Sequence, residues 1–300
     1  MMTRQLENII DDSGILERVD LIEVSFLDLA SGKIEIYSFG DLSNSSDSFF
    51  FDLASVTKIL TNGLMGYFYP EVINEELLLC LEHSSGIPAW GLLSKSNWRE
   101  EIESFEVTES NTIYSDYGAI RAMLLFEKLT KKNIYTLCEK VWDENTFHWL
   151  SGRDLSRYLV TGERKDGIIL GDVHDPNAFN VKQPLTHAGV FSTSRGLLKT
   201  LKKVFNNEDF RNLLIESKRK KPKKRFHYGW DTPSGESSLA GKGCSELTFG
   251  HLGFTGASVW LDLEKNKAIS ILSNATRDGW YKKKELNNVR KDVGAAFWGA

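Results

Sequence analysis

From Thr3 to Ile10 the apolar residues return at helical spacing, which predicts a short amphipathic helix. Leu21 to Leu27 then reads Leu-Ile-Glu-Val-Ser-Phe-Leu, a near alternation of apolar and polar positions that predicts a strand. Lys33 to Tyr37 alternates in the same way around Ile34 and Ile36, and Ala30-Ser31-Gly32 between them is a hairpin signal. Near the other end, Ala257 to Leu263 and Ala268 to Ser273 are apolar, with Glu264-Lys265-Asn266-Lys267 as the turn between them. A charged helix is predicted from roughly Lys282 to Phe297, with Leu286, Val289, Val293, Ala296 and Phe297 on one face. Strands therefore occur at both ends, and the middle reads mostly helical. The pattern predicts an α/β fold of the α+β kind: one antiparallel sheet built from both chain ends (1–54 and 200–300), flanked by the terminal helices. Residues 55–199 form an inserted, mostly helical domain, and a ligand cleft lies between the two.

With 300 residues the chain is long enough for one large domain or two closely packed ones. A hydrophobic share of 41% and a charged share of 26% disfavour disordered and membrane classes. The apolar stretches, such as Leu77 to Leu81, are too short to span a bilayer. A formal net charge of -4 gives the whole molecule no attraction for nucleic acid. The local exception is the basic run from Lys218 to Arg225. It reads either as a nucleic-acid patch or, more simply, as a solvated loop before a strand at Tyr228-Gly229-Trp230, since Pro222 breaks any basic helix. Cys80, Cys138 and Cys244 are odd in number and match no zinc or redox spacing, so they read as reduced thiols of a cytoplasmic protein. Glu7, Asp11, Asp12, Glu17 and Asp20 interrupt any leader-like apolar run. The expected location is the cytoplasm if this N-terminus is native, and the periplasm if a leader was removed.

Three short segments carry chemistry. Ser55-Val56-Thr57-Lys58 is followed by apolar Ile59, Leu60, Leu64 and Tyr67 and reads as a helix start, where residues i and i+3 share a face. A serine hydroxyl becomes a nucleophile when a neighbouring base takes its proton. Lysine serves as that base if burial or a nearby cation lowers its pKa. Taken alone, the spacing is equally that of a capped helix start, and Ser217 to Lys220 repeats it without the apolar helix behind. Tyr114-Ser115-Asp116 is the one tyrosine in the chain followed two residues later by Asn or Asp. It offers a phenol for proton shuttling, or simply an aromatic before a helix capped by Ser115 or Asp116. The glycine-rich turn Phe249-Gly250-His251-Leu252-Gly253-Phe254-Thr255-Gly256 leads into a predicted strand and lets the backbone approach a ligand. His187-Ala188-Gly189 repeats the His-x-Gly pattern outside such a turn. No zinc motif, phosphate-binding loop or Gly-x-Ser-x-Gly elbow is present, so neither metal nor cofactor is expected.

In that order, Ser-x-x-Lys, Tyr-x-Asn/Asp and His-x-Gly resemble the serine β-lactamase-like, penicillin-binding family. The branch most similar holds class C β-lactamases, DD-peptidases and β-lactamase-fold esterases. Further segments are similar: Phe51 to Lys58, Leu81-Glu82-His83-Ser84-Ser85-Gly86-Ile87-Pro88, Val173 to Ala178, His187 to Thr193 and Ile271-Leu272-Ser273-Asn274. The resemblance runs from about residue 21 to the C-terminus. It implies Ser55 as nucleophile, Lys58 as general base, Tyr114 as proton partner and His251 in a place where other members carry lysine. It implies an oxyanion hole from the N–H groups of Ser55 and Phe254, with Gly253 and Asp116 on the substrate side. Asp116 stands for the more usual Asn, which turns a neutral group into an anion and argues against recognition of a β-lactam. His83, His174 and His187 read as loop-fixing residues.

The expected function is acyl transfer from a carboxylic ester or D-amino-acid-type amide to water. The alternatives are a DD-carboxypeptidase acting on peptidoglycan peptides and a non-catalytic binding protein on the same fold. The expected partner is a small-molecule or short-peptide substrate, with no nucleic acid and no membrane span.

Overall fold

The computed structural model describes residues 2–45, 49–279 and 283–299, so Lys282 of the expected last helix lies outside the described residues. Along them the strands are β1 (Ile22–Asp28), β2 (Ile34–Phe39), β3 (Phe51–Asp52), β4 (Thr146–His148), β5 (Val160–Arg164), β6 (Gly167–Leu170), β7 (Val190–Ser192), β8 (Phe226–His227), β9 (Trp230–Asp231), β10 (Thr248–Leu252), β11 (Ser258–Asp262) and β12 (Lys267–Ser273). The main sheet has the order β2-β1-β12-β11-β10-β9-β8 and is antiparallel throughout. Its centre joins the two chain ends: Ile22 faces Ser273 and Asp28 faces Lys267.

Both faces of this sheet are covered. On one, Ile22, Val24 and Phe26 of β1 join Ile269 and Ile271 of β12. The helix Met2–Ser13 covers them with Leu6 and Ile10, and the helix Lys284–Trp298 with Leu286, Val289 and Val293. Phe26 stacks on Phe297 with ring centroids 4.3 Å apart. On the other face, Leu27, Phe249, Val259 and Leu261 meet Leu197, Leu201 and Phe205 of the helix Ser194–Phe205. Burial of each such side chain contributes roughly 1.5–3 kcal/mol. Ser25 and Ser270, which point into that second layer, satisfy each other at 3.1 Å.

Between Ser55 and residue 199 the helices Glu75–Leu81, Trp98–Ser104, Asp116–Thr130 and Ile134–Cys138 dominate. Two small sheets accompany them, β3-β7-β4 and the hairpin β5-β6. The 199/200 boundary falls inside the helix Ser194–Phe205, whose apolar face lies on the main sheet. No helix among the described residues is long and apolar enough to cross a membrane.

Three local expectations need correction. His251 is not in a turn; it lies inside β10, opposite Val259. Gly250, read as loop flexibility, instead makes room for β11: a Cβ there would lie 2.0 Å from Val259 O and 2.6 Å from Trp260 Cε3. Tyr228-Gly229 is not strand but the tight turn between β8 and β9, with φ of 51° and 85°. The basic run is, as expected, a largely exposed loop over 221–225, but its first part is helical and the loop has fixed partners. Its Lys218 to Lys220 end the helix Glu208–Lys220. Lys221 and Lys224 then converge on the buried carboxylate of Glu82, at 3.2 Å and 2.5 Å. Arg225 grips Asp231 through Nε and Nη2 at 2.7 Å and 2.8 Å.

Candidate active site

The turn that carries Ser55 hangs from β3. Asp52, 2% exposed, accepts the Ala54 N–H on Oδ1 at 2.8 Å and the His174 N–H on Oδ2 at 2.7 Å. Leu53 N–H donates to Val190 O at 3.0 Å, which ties the turn to β7. Ala54, with φ of 45°, takes the left-handed region that a non-glycine residue occupies only when its surroundings impose it. Ser55 follows in a single 3₁₀ turn, and the α-helix behind it spans only Thr57–Leu60. Burial pushes the Asp52 carboxyl up to about 6, against the pull of its two N–H donors.

Lys58 is 1% exposed, and its ammonium has three neighbours: Ser55 Oγ at 3.0 Å, His187 O at 3.0 Å and Asp116 Oδ1 at 2.7 Å. Burial is the largest influence on its pKa and would lower it, but Asp116 and Tyr114 together outweigh burial and the pKa is raised. The expectation of a lysine base made by a lowered pKa is thereby reversed: the resting Lys58 is a firmly held cation. His187 is part of this cradle, since its Nε2 lies 2.8 Å from Asp175 Oδ1. Asp175 in turn caps the helix Pro176–Val181 by accepting the Ala178 N–H, also at 2.8 Å.

The Tyr114 ring lies over the Lys58 ammonium, 4.9 Å from centroid to Nζ. The residue as a whole is 37% exposed, but its hydroxyl end is the buried one. Burial raises the phenol pKa, and interactions with Lys58 and Ser55 pull the other way. Ser115 caps the next helix by accepting the Gly118 N–H at 2.7 Å, and Ser115 N–H donates to His83 Nδ1 at 3.1 Å. The His83 ring packs 4.7 Å from Tyr114, and the His251 ring 5.8 Å from it. The tyrosine is thus held between two imidazoles. His251 Nδ1 must carry a hydrogen, because its neighbour at 2.7 Å is the carbonyl oxygen of Leu252. Nε2 is then a lone-pair acceptor, and it has no partner among the described residues.

Gly253 acts through space rather than through its N–H. That N–H donates to Ala257 O at 2.7 Å, so it does not serve a substrate. An added Cβ would lie 2.5 Å from Leu53 O, so only glycine lets this turn reach the strand leading to Ser55. Thr255 Oγ1 completes the seam by donating to Asp52 O at 2.6 Å. Phe254 stands at the rim, 48% exposed, with its ring 5.4 Å from that of His174 and 3.9 Å beneath the Lys283 ammonium. Ser55, Lys58, Tyr114, Asp116 and His251 therefore form one cluster. Sequence reasoning missed Asp52, Asp175 and the paired Glu82. Asp175 had a usable signal, an acid directly before a proline at a helix start. Among the described residues no group of three or more His, Cys, Asp and Glu side chains has the geometry to hold a metal ion.

Burial keeps several histidines neutral, with His148 and His251 pushed down to about 3 and His227 to about 4. A folded-state pKa below the ordinary 6.5 contributes stability that is present above pH 6.5 and lost as the pH falls. At pH 5 each of the three removes about 2 kcal/mol. Asp52, raised to about 6, works in the opposite sense and offsets only part of this. The urea midpoint is expected to fall sharply from pH 7 to pH 5; a constant midpoint would refute the neutral buried histidines.

A family model described as Beta-lactamase matches residues 81–292. A curated relative, the N-acetylmuramyl-L-alanine amidase of Bacillus subtilis (strain 168), is 27% identical over 198 residues. The match covers 56% of this chain and 45% of that protein, so the chain spans less than half the length of this relative. The octameric penicillin-binding protein homologue from Pyrococcus abyssi superposes with a TM-score of 0.67 at 17% identity, covering 96% of this chain and 76% of that one. EstCE1, described as a hydrolase with promiscuous acyltransferase activity, superposes with a TM-score of 0.68 at 11% identity, covering 98% of each chain. At these identities the two structures share the fold.

Proposed function

The chain belongs to the beta-lactamase family, whose members are hydrolases, and on that premise we propose that it is a serine hydrolase working through an acyl-enzyme on Ser55. The observation that carries this reading is the 3.0 Å contact between Lys58 Nζ and Ser55 Oγ, with Tyr114 over the same ammonium. Ser55 attacks the carbonyl carbon of an ester or amide. Its own N–H and that of Phe254 receive the oxyanion, a kind of stabilisation worth roughly 3–4 kcal/mol per donor in comparable sites. Tyr114 delivers a proton to the leaving group and later helps to orient water. The substrate is a carboxylic ester or a D-amino-acid-type amide. An amide is favoured by the likeness to the Bacillus subtilis amidase, and an ester by the neutral imidazole of His251 where a cation would seat a carboxylate.

Intact-protein mass after brief exposure to a 4-nitrophenyl ester, benzylpenicillin or a fluorophosphonate tests the reading. A single covalent adduct on wild type and none on Ser55→Ala is the expected result. An adduct that persists in Ser55→Ala, or no adduct with any of the three reagents, would sink it.

A further inference from the structure

Asp116 is the member of the cluster that the Ser-Lys-Tyr reading leaves without a task. It is the first residue of the helix Asp116–Thr130, an end that favours a carboxylate, and its own N–H donates to Ala89 O at 2.8 Å. Its Oδ1 lies 2.7 Å from Lys58 Nζ, with the two side chains 18% and 2% exposed. Lys58 is thus interposed between the Ser55 hydroxyl and a carboxylate.

Ser55 must lose a proton, and Lys58 as an ammonium has no lone pair to take it. Tyr114 holds its own proton, its pKa being raised by burial and by Asp116. His83 Nδ1 already accepts from Ser115 N–H, and His251 is pushed down to about 3 by burial and by Lys58, which makes it a feeble base. Asp175 is engaged by His187 and the Ala178 N–H. Arg225, whose charge acts on Tyr114 and His251, is held by Asp231. Among the described residues the carboxylate of Asp116 is the acceptor in direct contact with Lys58.

We propose that Asp116 stores the nucleophile's proton during acylation, with Lys58 as the carrier between them. Lys58 passes one proton to Asp116 Oδ1, giving a neutral amine beside a neutral carboxylic acid. As the Ser55 Oγ–carbon bond forms, the Ser55 O–H bond breaks and its proton joins the Lys58 amine, while the carbonyl π pair becomes the oxyanion. On collapse the leaving atom takes a proton through Tyr114 and Lys58, and Asp116 returns the stored one to Lys58. Charge balances at each stage. Exchanging an ion pair for a neutral pair is easiest where water is scarce, as around Lys58. Asp116 acts through Lys58 and is in that sense a positioning residue, one that an asparagine could not replace.

The inference rests on Ser55 being the nucleophile, and the test separates the two ideas. The rate of Ser55 phosphonylation by a fluorophosphonate, in which Oγ bonds to phosphorus and fluoride leaves, is followed by mass against pH for wild type, Asp116→Asn and Ser55→Ala. With wild type the rate is expected to be flat from about pH 7 to 9.5, because Lys58 does not release its proton there. In Asp116→Asn the largest influence raising Lys58 is gone, and burial pulls its pKa down against Tyr114 alone. That variant is therefore expected to lose about tenfold or more at pH 7 and to recover with rising pH as a free amine appears. A uniform loss at every pH, or an unchanged profile, overturns the proposal. A lysine-like rise in wild type overturns it too, without reference to whether the variant folds. Absence of a Ser55 adduct on wild type instead overturns the nucleophile assignment.

Discussion

Lys58→Met is expected to lower kcat/KM by roughly 10³- to 10⁴-fold while leaving a folded protein. The side chain is almost completely enclosed, and its ammonium is the shared neighbour of Ser55 Oγ, Asp116 Oδ1 and His187 O. Methionine fills similar volume but carries no proton. The stability cost is moderate, because Asp116 is 18% exposed and regains water when its partner goes. Lys58→Arg keeps the charge but cannot give up a proton near neutrality, so it is expected to be as inactive as Lys58→Met. Hydrolysis of a nitrophenyl ester, alongside a urea melt of each variant, checks both. Retention of more than about a tenth of wild-type activity by Lys58→Arg would remove lysine from the proton path and leave it as a fixed charge.

Gly250→Ala is the substitution expected to damage the fold most. The position is central in the sheet, and the new methyl would lie 2.0 Å from the backbone oxygen of Val259. A backbone atom in a paired strand cannot swing aside as a side chain can, so β10 and β11 must separate locally. The expected cost is about 3 kcal/mol or more. Because His251 follows on the same strand, the residual folded protein should also lose activity. Differential scanning calorimetry against pH 7.5 wild type measures the first effect. A melting temperature within about two degrees of wild type would mean that the strand pair yields easily.

Much of this was legible in the sequence because it is local. Ser55 and Lys58 are three residues apart, and the Ser115 cap with the apolar run behind it fixes where Tyr114 must sit. Alternation gave β1 and β2, and the turn residues 264–267 gave the hairpin β11–β12. What stayed hidden depends on distant partners. Gly250 and His251 read as turn because the reason for the glycine, the backbone oxygen of Val259 and the ring of Trp260, lies on the next strand. The ion pairs of the basic loop stayed hidden because Glu82, its counter-charge, is 139 residues from Lys221. The sign of the Lys58 shift was misjudged for the same reason: burial was foreseeable, but the contacts with Asp116 and Tyr114 that together override it were not.

The pairing of β1 with β12 sets the order of events as the chain is made. When β1 leaves the ribosome its only available neighbour is β2, and a lone hairpin is marginal in water. Its central partner, residues 267–273, follows some 245 positions later. At ordinary rates of about 5–20 residues per second that delay is roughly 12–50 seconds. Throughout it, Ile22, Val24 and Phe26 lack the strand and the C-terminal helix that cover them in the finished molecule. Synthesis therefore passes through a prolonged window in which a bare apolar sheet edge must be kept from its counterparts on neighbouring nascent chains, and slow, crowded expression should yield inclusion bodies that seed from this hairpin.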